Sequence, residues 1–122
     1  MIVENTSHRK EVLDGALSCA GFLDEKKARD TLLMDLREVN SYLDYFIITT
    51  GNSHMHCRAL ARDVNRHMAS IGFKQRNRPD LDSGWIVLDY DEIVVHIFVE
   101  PVRAFYQLER LWADAKKITV PV

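Results

Sequence analysis

Two cysteines, three prolines and five glycines are spread through 122 residues, and each scarcity closes off an architecture. Two thiols cannot staple a small disulfide scaffold. Cys19 and Cys57 fall on the apolar faces of two expected helices, so both read as buried free thiols. So little proline and glycine rules out a collagen-like or low-complexity chain. No apolar run nears the ~20 residues that a membrane span needs. Met1 to Lys10 is polar and lacks the apolar segment of a signal peptide, so a cytoplasmic protein without membrane association is expected. Positive charge is not in surplus either. A formal net charge of −2 means that any nucleic-acid contact must come from a local basic patch. What is present is a 47% hydrophobic, 28% charged chain whose length suits one domain, residues 1–122, with its core at about 7–115.

Periodicity sets the expected elements. Asn5-Thr6-Ser7 offers capping oxygens, and Val12, Leu13, Ala16, Leu17 and Ala20 then recur at helical spacing until Gly21, which predicts a helix over 7–20. Asp30 to Leu36 reads as a strand, and Leu43 to Thr50 is β-branched and aromatic enough for a buried one. Gly51-Asn52-Ser53 turns the chain, with Ser53 placed to cap a second helix. One face of that helix carries Cys57, Leu60, Ala61, Val64, Met68 and Ile71, and Gly72 closes it. A short edge strand is expected near Phe73–Gln75, followed by a polar loop. Trp85 to Val99 forms a hairpin. Pro101 suits the first turn of a last helix, with Phe105, Leu108, Leu111, Trp112 and Ala115 facing inward. The tail 116–122 receives no assignment. This order predicts an α/β fold, a mixed β-sheet flanked by helices.

Several constellations invite a chemical reading. Asp89, Asp91 and Glu92 form a carboxylate group that, with Gly51-Asn52-Ser53 as a phosphate cradle, would suit a metal-dependent nucleotidyltransferase. The spacing argues against it: cradle and carboxylates lie almost forty residues apart, no partner lysine is evident, and an acidic turn between two strands explains Asp91-Glu92. His54, His56 and His67 lack the spacing of a metal site, since residues two apart on a helix diverge. His96 sits alone inside an apolar strand without a nucleophile or an orienting partner, which suits a structural or interface role better than catalysis. No metal and no cofactor is expected. Arg58, Arg62 and Arg66 recur every four residues on one helix face. They read as a solvated stripe or as a peripheral contact with RNA phosphates.

The aromatics Trp85, Tyr90, Tyr106 and Trp112, with Asp89 and Arg103 nearby, have the composition of a protein-binding hot spot. Four stretches also share an order and spacing with a known family: Asp44-Tyr45-Phe46-Ile47-Ile48-Thr49-Thr50-Gly51-Asn52-Ser53, Trp85-Ile86-Val87-Leu88-Asp89-Tyr90, Val94-Val95-His96-Ile97-Phe98, and Arg103 through Ala115. In these the chain resembles the ribosomal silencing factors, also called the RsfS or Iojap family, across about residues 10 to 115.

That resemblance implies a nucleotidyltransferase-like sandwich without catalytic residues, and so a non-enzyme. It implies binding to the large ribosomal subunit at ribosomal protein L14, which blocks joining of the small subunit and represses translation under nutrient limitation. A homodimer is implied for the free protein. The expected docking residues are Trp85, Leu88, Asp89 and Tyr90, with His96, Phe98, Arg103 and Tyr106 beside them. Arg58, Arg62 and Arg66 are expected to reach peripheral ribosomal RNA. The chain departs from the family at the hairpin turn, where Asp91-Glu92 replaces a glycine before an acidic residue, and at His54-Met55-His56 after the Gly51 turn.

Overall fold

The computed structural model describes the backbone of residues 2–119 and the side chains of residues 7–119. Its elements, in chain order, are α1 (Ile2–Glu25), β1 (Arg29–Asp35), β2 (Tyr45–Gly51), α2 (His54–Ser70), β3 (Trp85–Asp89), β4 (Ile93–Val99), α3 (Glu100–Tyr106), α4 (Leu108–Leu111) and β5 (Lys116–Ile118). The strands form one five-stranded mixed sheet in the order β3-β4-β2-β1-β5. The expected fold class is the one observed.

The sheet centre follows from composition. Among the described residues, β2 and β4 are the only parallel pair, running from Tyr45 opposite Ile93 to Gly51 opposite Val99. Both are buried along their whole length. Strands covered on both faces must be apolar throughout, which is why β2 and β4 read as unbroken β-branched and aromatic runs. β3 pairs antiparallel with β4, and β1 pairs antiparallel with β2 and β5.

One face of the sheet is covered by the two long helices. Val12, Ala16, Cys19 and Leu23 of α1 and Cys57, Leu60, Ala61, Val64 and Met68 of α2 pack on Leu33, Tyr45, Ile47, Ile86, Leu88, Ile93, Val95 and Ile97. Both cysteines are free and buried, as expected, and burial pushes the Cys19 thiol up to about 12. The segment after α2 approaches α1 closely at Gly15, where a Cβ would lie 2.4 Å from the Phe73 ring.

Three expectations fail here. α1 begins before Asn5-Thr6-Ser7 and runs through Gly21, so these are not its ends; the side chains of Asn5 and Thr6 lie outside the described residues. The helix stops instead at Lys27, which adopts φ 71 while Ala28 N–H reaches Leu23 O and Lys27 N–H reaches Asp24 O. This is a Schellman closure built without glycine, and so without the usual sequence signal. At α2 that signal held: Gly72 has φ 94, and Phe73 N–H bonds back to Met68 O.

Residues 73–75 form no strand. The segment meets the β3 edge mainly through a side chain: Asn77 Nδ2 donates to Val87 O at 2.8 Å and Asn77 Oδ1 accepts from Asp89 N–H at 3.0 Å, while Arg76 N–H donates to Asp89 O at 2.8 Å. The Asn77 amide and one backbone bond thus cover the edge in place of a strand. The fifth strand comes from the tail, at Lys116–Ile118.

The last helix is broken. Gln107 takes φ 48 between α3 and α4, and the break turns Phe105 and Leu111 outward, 79% and 74% exposed, where both were expected to pack inward. Leu108 and Ala115 keep their inward places, and Trp112 is partly buried. Among the described residues, no helix is long and apolar enough to cross a membrane.

Candidate functional site

The second face of the sheet lacks a long helix. Register assigns its residues: Trp85 lies opposite Phe98, Val87 opposite His96, and Asp89 opposite Val94, while β2 sets Phe46 beside Val94, Ile48 beside His96 and Thr50 beside Phe98. The α3–α4 segment and the residues after it cover the β1–β2 side, where Leu108, Trp112 and Ala115 pack with Met34, Leu36, Phe46 and Ile48. The β3 side is left thinly covered. Trp85, Val87 and Asp89 are each only half-buried there.

A continuous aromatic row crosses this open part. Trp85 stacks on Phe98 at 5.0 Å between ring centres with 27° between planes, and it contacts Tyr106 at 4.9 Å. Tyr106 meets Phe105 edge-on at 5.0 Å. Phe46 meets His96 at 4.5 Å and Trp112 at 5.8 Å, both edge-on. Half-exposed aromatics on a rigid sheet lose little rotamer entropy on binding and offer large areas to desolvate.

His96 lies beneath this row, 6% exposed. Trp85 Nε1–H donates to His96 Nδ1 at 3.0 Å. An indole nitrogen only donates, so Nδ1 is unprotonated and the ring proton resides on Nε2. His96 Nε2 is buried without a partner among the described residues. Burial holds the His96 pKa down at about 4, which keeps the ring neutral.

The structure divides the residues expected to share one docking surface. Trp85, His96, Phe98 and Tyr106 do come together. Asp89 stands at the β3 end of the same face, its Oδ1 accepting from Asp91 N–H at 2.8 Å. Leu88 and Tyr90 belong to the opposite face, 1% and 2% exposed beneath the helices. Their assignment to the surface is corrected by strand parity: adjacent residues point to opposite faces, so Trp85, Val87 and Asp89 form one set and Ile86 and Leu88 the other. Tyr90 has its own work, donating its hydroxyl to Asn65 Oδ1 at 3.0 Å. His96 and Phe98 lie on the right face but are covered, so they support the surface from below.

Arg103 is corrected as well. Its side chain is only 14% exposed and points under α3. Nε and Nη2 engage Glu109 Oε2 at 3.0 Å, while Nη1 donates to Asp30 O and Thr50 Oγ1, each at 2.9 Å. One guanidinium therefore ties the broken C-terminal helices to the sheet, and only the planar fork reaches all three acceptors. Arg103→Met is expected to lower stability by about 1–2 kcal/mol through lost charge-assisted hydrogen bonds. Urea unfolding and limited chymotrypsin digestion check this, with first cleavage expected near Phe105–Trp112. An unchanged digestion pattern would rule the clip out.

Strand parity places Val94 with His96 and Val87 with Trp85, while Phe46 joins this floor only through the β2–β4 register, which the sequence does not show. Phe105 and Leu111 could not be found by counting, because the Gln107 break has no sequence mark.

The arginine stripe lies elsewhere. α2 covers the helix side of the sheet, so its outer face looks away from Trp85. Arg58 pairs with Asp82 at 3.2 Å and Arg66 with Asp63 at 3.1 Å, which leaves Arg62 as the member without an ion pair among the described residues. A single flat partner surface cannot touch both Trp85 and Arg62.

The carboxylates at the hairpin turn do not converge. Asp89 caps the turn, Asp91 faces Arg76 at 3.6 Å, and Glu92 pairs with His8 of α1. Asp91 takes φ 77, the left-handed conformation that glycine would adopt without strain. Aspartate tolerates it, and the bond to Asp89 secures it. The histidines are likewise separately employed. His56 accepts Asn52 N–H at Nδ1 and approaches Lys26 O through Nε2, while His67 bonds Ser18 and stacks on Phe22. Among the described residues, no group of three histidine, cysteine or carboxylate side chains is placed to hold a metal ion.

The family model described as "Ribosomal silencing factor during starvation" matches residues 9–122. A Bacillus subtilis protein named "Ribosomal silencing factor RsfS" is 34% identical over 97 residues, which is 79% of this chain and 82% of that protein. The maize protein named "Protein Iojap, chloroplastic" is 33% identical over 115 residues, 91% of this chain and 49% of that protein. A crystal structure of a Chromobacterium violaceum protein superposes with a TM-score of 0.77, covering 90% of this chain and 92% of that one at 24% identity, a likeness of fold.

Proposed function

The chain belongs to the ribosomal silencing factor family, and from that premise we propose that it binds the large ribosomal subunit at ribosomal protein L14 and sterically blocks joining of the small subunit. The observation that carries this reading is the thinly covered sheet face, where Trp85 is braced by Phe98 and Tyr106 beside half-exposed Val87 and Asp89. An exposed apolar patch rimmed by polar residues on a rigid sheet is what a protein partner fits.

The mechanism requires no chemistry. A domain seated on the subunit-joining face acts by occupying volume, and a standard interface of roughly 1,600 Å2 is enough to hold it there. Trp85 would supply the desolvated anchor. Asp89, whose second carboxylate oxygen has no hydrogen-bond partner among the described residues, would pair with a basic residue and favour register and on-rate. The protein would act as a non-enzymatic translational repressor in the cytoplasm and be a homodimer when free. Any contact of Arg58, Arg62 and Arg66 with ribosomal RNA would be a second, salt-sensitive one on the opposite side of the molecule.

The test uses purified ribosomal subunits. The protein should pellet with large subunits and not with small ones, and saturating amounts should abolish the light-scattering rise when the two subunits associate. Failure to pellet at low salt, or undiminished association at saturation, overturns the reading.

A further inference from the structure

We propose that His96 is a positioning residue for docking: through its hydrogen bond to the Trp85 indole, it holds that ring in its docking orientation while remaining covered itself. This rests on the docking reading above.

The geometry is specific. Trp85 is fixed from three directions: Phe98 lies parallel beneath it, Tyr106 flanks it, and His96 accepts its only polar hydrogen at 3.0 Å. Ring stacking restrains tilt but permits sliding and rotation in the plane, because dispersion is non-directional. The hydrogen bond is the one directional contact, and it decides which edge of the indole faces inward. His96 is itself immobile. It sits between Val87 and Ile48 in the strand register and against Phe46. The groups around it are apolar or aromatic, and burial is the single cause of its depressed pKa, so no charged neighbour competes for Nδ1.

A half-exposed tryptophan without this restraint would have to be ordered when the partner arrives, and ordering costs affinity. His96 therefore acts on the partner without touching it. An all-apolar strand carrying one histidine beneath one tryptophan is accounted for by this role. A purely space-filling residue would not need an acceptor at that position.

The test separates acceptor from volume. The Oδ1 of asparagine occupies the same number of bonds from Cα as His96 Nδ1, so His96→Asn keeps an acceptor while losing ring volume. His96→Phe keeps the ring and removes the acceptor. The first readout is the Trp85 indole N–H resonance in the free protein. In the unmodified chain it should exchange with solvent at least tenfold more slowly than that of Trp112, whose indole has no hydrogen-bond partner among the described residues. Protection should persist in His96→Asn and vanish in His96→Phe. The second readout is affinity for large ribosomal subunits. His96→Phe should weaken it about tenfold and His96→Asn markedly less. In a Trp85→Phe background, His96→Phe should cause no further loss.

Equal loss with and without Trp85, or unprotected exchange of the Trp85 indole in the unmodified chain, overturns the proposal. The exchange measurement needs no variant, so it decides the matter even if His96→Phe does not fold. Failure of the unmodified chain to bind large subunits would refute docking alone, and the exchange arm would still report on the clamp.

Discussion

Trp85→Ala is expected to weaken binding to the large ribosomal subunit by about 2–4 kcal/mol, roughly 30- to 1000-fold, the range of a central aromatic anchor. The substitution removes the indole that lies across Phe98 and Tyr106, and it leaves His96 Nδ1 without its donor. The fold should survive. Trp85 is half-buried at the start of an edge strand, and the centre of the sheet is held by β2 and β4. Titration of labelled protein into purified large subunits measures the loss. Arg62→Ala is the informative comparator. Arg62 lies on the opposite side of the sheet, on the outer face of α2, so it should shift binding by no more than about 0.5 kcal/mol at moderate salt, as surface substitutions do. If Arg62→Ala costs more than Trp85→Ala, the wrong face has been assigned.

Acid should destabilise the protein through His96 by about 3 kcal/mol, most of it between pH 6.5 and pH 4. The folded chain holds His96 at about 4 against an ordinary value of 6.5, because burial disfavours the charged ring. Between those values the unfolded chain takes up a proton that the folded chain refuses. The unfolded state therefore binds more protons, and stability must rise with pH. The contribution is fully present above pH 6.5 and is lost as pH falls toward 4. Asp44 opposes it, since burial and the nearby Glu92 raise its carboxyl and so favour the folded state as that group gains a proton. Asp35, lowered by its hydrogen bonds to Arg37, adds an acid loss only below the ordinary carboxylate range. Urea midpoints should climb from pH 4.5 to about 6.5 and level off towards pH 7.5, and His96→Phe should flatten the climb. An unchanged slope in that variant would remove His96 as its origin.

The wet and dry faces of β3 show how far a sequence reaches. The run Trp85 to Asp89 was correctly read as a strand, and its period of two makes Trp85, Val87 and Asp89 one set. The run alone does not say which set a long helix will cover, because both contain large apolar residues. The same ambiguity put Leu88 and Tyr90 on the docking surface. β4 is more opaque still: Ile93 to Val99 is apolar at every position but one, so it carries no alternation at all. His96 stands out by chemistry, yet its partner Trp85 is eleven residues away and becomes its neighbour only through hairpin register.

The C-terminal segment shows the opposite limit. Its apolar spacing describes one helix well, and that is why Phe105 and Leu111 were expected inside. The Arg103 clip to Asp30 and Thr50 joins groups more than fifty residues apart, Glu109 completes it from within the segment, and Gln107 accommodates the resulting bend at φ 48. Such long-range demands leave no local periodic trace.

By itself the sequence determined the mixed α/β class, the buried strand β2, the position of α2 and its glycine closure, the free thiols, and the family. Each of these is set by local propensity, by runs of apolar residues or by motifs in order, all of which are written along the chain. The tertiary structure alone decided which side of the sheet stays open, that the arginine stripe faces away from Trp85, that Arg103 holds the fold together, and that His96 grips Trp85 from beneath. These are facts about which surfaces meet, and surfaces meet through register and packing between segments that the chain keeps far apart.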